Sequence, residues 1–195
     1  MTKTLMALLA AAGLCLAGGS NAQTTTPHDK AARDQAIKAA DSQYKADKDA
    51  CKSLSGNAKD ICMQEAKGKE KVAKADAKAQ YDATPKAREN ARLARAEATY
   101  DVAKEKCDDM TGNQKDVCVK EAKAQYTKAK ADAEVDRVAA DTSKNAVQKT
   151  AEAKKDATED KRDADYKVAV EKCDALAGNA KDACVRDAKA KYGKS

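Results

Sequence analysis

The chain contains no tryptophan and no phenylalanine, and aromatic residues make up 3% of its 195 positions. Large aromatic side chains carry much of the buried area of globular cores, so a bulky core is excluded. Histidine occurs once, at His28, which removes the usual general base of hydrolytic triads and the usual zinc ligand from the rest of the chain. Proline occurs twice, at Pro27 and Pro85, leaving long stretches without a helix breaker. No run of five or more like charges occurs, which argues against a nucleic-acid arm or a lipid-binding patch.

Charge is abundant and mixed: 38 Lys and Arg against 32 Asp and Glu, 36% of the chain. Alternating signs at this density describe solvated helix faces supported by i,i+4 pairs. The apolar complement is mostly alanine, as in the stripe Leu93, Ala96, Tyr100, Ala103, Cys107. At ~25 cal/mol/Å² such a stripe barely offsets chain entropy, so an extended form is expected rather than a compact globule.

Seven cysteines set the organisation. Six fall in three related units, most regular from Tyr166 to Tyr192 and from Tyr100 to Tyr126, which agree at 17 of 27 positions. The first unit, from Tyr44, is looser. It ends at Glu70 where the others end on tyrosine, and Ala-Gln-Tyr recurs only at Tyr81, eleven residues later than the pattern requires. Each unit places Gly-Asn midway between cysteines eleven residues apart: Cys51 and Cys62, Cys107 and Cys118, Cys173 and Cys184. The arms are rich in Ala, Lys, Glu and Gln and contain no proline, so they are helix formers.

Gly56, Gly112 and Gly178 suit the left-handed C′ position that ends a helix. Asn57, Asn113 and Asn179 are expected to N-cap the returning helix, with Asp60, Asp116 and Asp182 completing a capping box. The unit therefore reads as a tight αα-hairpin. A reversal at Gly-Asn brings the two cysteines to one height on facing helices, within disulfide reach, whereas an unbroken helix would hold them roughly 16 Å apart. Free thiols, small buried helix residues or a thiolate metal site are the alternatives. A metal would need ligands beyond two sulfurs, and no cofactor or metal is expected. A catalytic dithiol is disfavoured, because such pairs are usually Cys-x-x-Cys at a helix N-terminus. The hairpin also pairs Tyr100 with Tyr126 and Tyr166 with Tyr192.

Residues 1–22 read as a signal segment: Lys3, an apolar run from Leu5 to Ala17, and small residues before a cleavage site after Ala22. Cys15 leaves with it, so six cysteines remain for three pairs; one lysine and no acid are lost, leaving a formal charge of +5. No integral membrane segment is expected after cleavage, and the address is the periplasm, where disulfides persist. A polar tail follows over 23–29, expected to be disordered, and then hairpins over 30–83, 84–141 and 142–195. Thr84-Pro85 supplies an N-cap and a first-turn proline. From Gln114 to Ala177 neither Gly nor Pro occurs, so either one helix of roughly 95 Å or a break near Asp141-Thr142-Ser143 is predicted. The fold class is all-α, with three disulfide-stapled, coiled-coil-like antiparallel hairpins. Whether they pack together or string out is open.

The units Tyr-x6-Cys-x4-Gly-Asn-x-Lys-Asp-x-Cys-x3-Ala-Lys, together with the signal segment and the stretch beginning at Asp156, resemble a group of exported beta-proteobacterial proteins often labelled TolA-like or cell-envelope proteins. Unlike TolA, the chain is expected to have neither a retained anchor nor a globular C-terminal domain. The resemblance implies a compartment and no site residues. The expected function is a non-enzymatic structural or interaction protein of the envelope, its partner another envelope or periplasmic protein and not nucleic acid. The runner-up is a periplasmic protective protein, a weak holdase or a metal-sequestering chain.

Overall fold

A computed structural model describes residues 28–195, in which six helices run alternately up and down. They are α1 (Lys30–Ala50), α2 (Gly56–Asp82), α3 (Pro85–Cys107), α4 (Gly112–Ala139), α5 (Ala146–Cys173) and α6 (Gly178–Tyr192). The expected signal segment with its cleavage after Ala22, Cys15, and tail residues 23–27 lie outside the described residues. No described helix is long and apolar enough to cross a membrane.

The ends of the helices follow from local chemistry. Asp29 caps α1 by accepting from the Ala32 N–H at 2.9 Å. Thr84 accepts from the Ala87 N–H at 3.1 Å with Pro85 at the first helical position, as the sequence predicts. Ala83 closes α2 in the left-handed region at φ 52°. His28, at the end of the polar tail, is ordered. Its N–H donates to the Tyr81 carbonyl at 3.0 Å, and its ring meets Tyr81 edge-on. The guanidinium of Arg33 lies 4.3 Å from the centroid of the same tyrosine. Tyr81 thereby anchors the start of the first hairpin to its end.

The long continuous helix does not form. The chain leaves α4 at Ala139 and re-enters at Ala146. Asp141 accepts from the Ser143 N–H and hydroxyl at 2.9 and 3.0 Å, a local alternative to helical bonding that short polar side chains offer. Those bonds hold the Asp141 carboxyl below its ordinary pKa.

Each helix packs only on its neighbours in sequence among the described residues, so the six form a single row. The buried positions are almost all alanines and the three leading cysteines, with Gly68, Val138 and Glu89 added. Small side chains let the helices approach closely. Gly68 marks one such approach: a Cβ there would stand 2.9 Å from the Cβ of Ala98. The hairpins are thus packed side by side through α2 against α3 and α4 against α5.

Candidate functional site

Three stapled tips stand along one edge of the row. Disulfides join Cys51 to Cys62, Cys107 to Cys118 and Cys173 to Cys184, each with Cα atoms 5.7 Å apart. The leading cysteine of every pair is fully buried. Above each staple the chain makes the same turn, in which the N–H of Leu54, Met110 or Leu176 donates to the carbonyl of the cysteine three residues before. These three apolar side chains remain 42%, 43% and 44% exposed. Tips lie two helices apart, so the apolar residues recur at roughly 16–20 Å along the edge. Their one signal in the sequence is an apolar residue two places before Gly-Asn in every unit, which by itself does not distinguish an exposed tip from a buried side chain. Lys115 pairs with Asp108 at 2.8 Å across the second turn and Lys181 with Asp174 at 2.9 Å across the third; each carboxylate raises the pKa of its lysine.

Gly56, Gly112 and Gly178 take φ of 56°, 56° and 52°, the left-handed conformation expected of them. They stand as the first residues of α2, α4 and α6, however, and not at C′ of the preceding helices. The arriving helices end at or just before the cysteines, and the turn needs four or five residues to reverse. The N-cap positions are therefore Ser55, Thr111 and Ala177, none with a side-chain capping bond. Asn57, Asn113 and Asn179 do not cap, and Asp60, Asp116 and Asp182 stand beyond the first turn, where no capping box can form.

The asparagines act between hairpins. Asn57 donates from Nδ2 to the Glu105 carbonyl at 3.0 Å, and Asn113 to the Glu171 carbonyl at 3.0 Å. Glu105 and Glu171 each stand two residues before a leading cysteine, and their carbonyls accept the asparagine amide beside the N–H of Asp108 and Asp174. The same joint carries matching ion pairs, Lys106 with Glu65 and Lys172 with Glu121, then Arg95 with Asp76 and Lys161 with Asp132. Gly68 against Ala98 in the first joint corresponds to Ala124 and Ala164, both buried, in the second.

Within the hairpins, Tyr100 stacks on Tyr126 with centroids 5.3 Å apart, and Tyr166 meets Tyr192 edge-on at 6.2 Å, as expected. At the opposite edge a cleft of about 800 Å³ opens between α3, α4 and α5. Its buried carboxylate, Glu89, is held by Lys86 at 2.6 Å and Arg137 at 3.3 Å. Arg137 also pairs with Glu134, whose carboxyl it holds below the ordinary value. Asp141 pairs with Lys149 at 3.2 Å on the same cleft, so Glu89, Glu134 and Asp141 each have a cationic partner, as in a structural network. No group of His, Cys, Asp and Glu among the described residues is placed to hold a metal ion. Comparison with protein-family models, with curated proteins and with solved structures finds no match to the chain.

Proposed function

We propose that this protein is a non-catalytic helical structural or interaction protein of the cell envelope, exported to the periplasm and cleaved after Ala22. There it presents its stapled edge to another envelope or periplasmic protein. The observation that carries the reading is the threefold tip, a disulfide beneath one exposed apolar residue, repeated at Leu54, Met110 and Leu176. Disulfides of this kind persist in oxidising compartments, and a core built from alanine benefits from them. The resemblance to TolA-like envelope proteins agrees in compartment. Regular apolar knobs on a rigid edge suit recognition of a folded partner better than the broad apolar surface a holdase needs.

The test is capture of the tagged, exported chain from periplasm beside a variant carrying Leu54→Ser, Met110→Ser and Leu176→Ser. The proposal expects one stoichiometric envelope partner, lost in the variant while its helicity is kept. A broad mixture of unfolded chains, or an unprocessed protein in the cytoplasm with free thiols, would overturn it.

A further inference from the structure

The joint between hairpins occurs twice, yet among the described residues its two halves occur once more each, unpaired, at the ends of the row. The outward face of α6 repeats the donor half. Asn179 stands where Asn57 and Asn113 stand, and Ala190 where Gly68 and Ala124 stand. Both are exposed in α6, although Gly68 and Ala124 are buried and Asn57 and Asn113 half-buried. The outward face of α1 repeats the acceptor half. Asp49 stands where Glu105 and Glu171 stand, two residues before its cysteine, and Ser42 where Ala98 and Ala164 stand. Gln35, Lys38, Ala39, Ser42, Ala46 and Asp49 form this face, and all are exposed.

We propose that a second copy of this chain occupies these faces, α6 of one copy docking on α1 of the next in the geometry of the internal joints. The Asn179 amide then donates to the Asp49 carbonyl of the neighbour. Charge follows the same register. Lys120 pairs with Glu171 at 3.4 Å across the second joint, and the corresponding residues at the ends are Arg186 and Asp49. Among the described residues of its own copy Asp49 pairs only with the exposed Lys52, at 2.7 Å. Small residues at 39, 42, 46 and 190 allow the close approach seen where Gly68 meets Ala98.

The contact is weaker than its internal models. Ala50 replaces the lysine of the Lys106–Glu65 and Lys172–Glu121 pairs, and α6 stops at Tyr192, before any counterpart of Asp76 and Asp132. A joint of this reduced size suits association at about 1 μM to 1 mM. Because the two faces differ, the contact is heterologous and propagates, giving open chains of copies unless the rotation closes a ring. Neither the compartment nor the partner proposed above is needed for it.

Sedimentation velocity of the oxidised exported protein over that range should show a boundary that moves to larger species with concentration. Arg186→Glu should abolish the shift, and adding Asp49→Lys should restore it. A mixture of Ser42→Cys and Ala190→Cys chains should form mixed disulfide dimers, with the three native pairs intact by peptide mapping, while neither variant alone cross-links to itself. A boundary that stays monomeric throughout, or cross-linking as frequent within each variant as between them, would overturn the proposal.

Discussion

Asn57 donates from its side-chain amide to the main-chain carbonyl of Glu105, 48 residues further along, at 3.0 Å. Asn113 does the same to Glu171, 58 residues further along. These bonds tie the first and second hairpin turns to the end of the next hairpin's rising helix, and they set three hairpins in one register.

Replacing Asn57 or Asn113 by Ala should therefore lower stability by about 1 kcal/mol each, the usual net worth of such a bond. Asn179→Ala should leave the isolated monomer within about 0.5 kcal/mol of the parent, as surface changes do. Urea unfolding of dilute protein with unchanged slope is the measurement. Equal losses for all three would mean that the asparagines act within their own turns.

The backbone gives two substitutions of opposite sign. Gly178 has φ 52° and no atom within 4 Å of where a Cβ would stand, so Gly178→Ala should cost on the order of 1 kcal/mol from conformation alone. Ala83 already suffers that conformation at φ 52°. Ala83→Gly should stabilise by roughly 0.5 kcal/mol, strain relief being partly offset by the freedom of glycine in the unfolded chain. Thermal melting of the two variants reads both signs; a stabilising Gly178→Ala would contradict the turn.

Acid should weaken the protein. Lys74 holds the Asp41 carboxyl below its ordinary pKa, as Gln43 does Asp47, Arg137 does Glu134 and Ser143 does Asp141. A carboxylate whose folded pKa is depressed contributes stability above its unfolded value, near 4, and loses it as pH falls through the folded value. The raised lysines Lys74, Lys115 and Lys181 contribute below about pH 10 and lose only above it. The melting temperature should stay level from about pH 5 to 8 and fall between about pH 4 and 2. A melting temperature that rose on acidification would contradict these pairings.

The hairpins were legible because their signals are local. Cysteines eleven apart around Gly-Asn admit a staple only if the chain reverses, and alanine-lysine arms have few alternatives to helix. What the asparagines do was not legible, because Glu105 and Glu171 lie dozens of residues away and a side chain following glycine looks like a cap. The side-by-side packing left a faint trace: Glu65 and Glu121 recur at one repeat position, Lys106 and Lys172 at another. Nothing in a single sequence says that those two positions meet. The break after Ala139 was one of two open readings, since Asp141 and Ser143 favour a turn without forbidding a helix.

Three staples, each closed within its own hairpin, hold together a protein whose core is mostly alanine. Each should contribute on the order of 3 kcal/mol by closing its short loop. Non-reducing peptide mapping of the protein recovered from the periplasm tests this most directly. The result expected is Cys51–Cys62, Cys107–Cys118 and Cys173–Cys184 with no free thiol in the mature chain. Reduced cysteines at these positions, or bonds joining one hairpin to another, would contradict it.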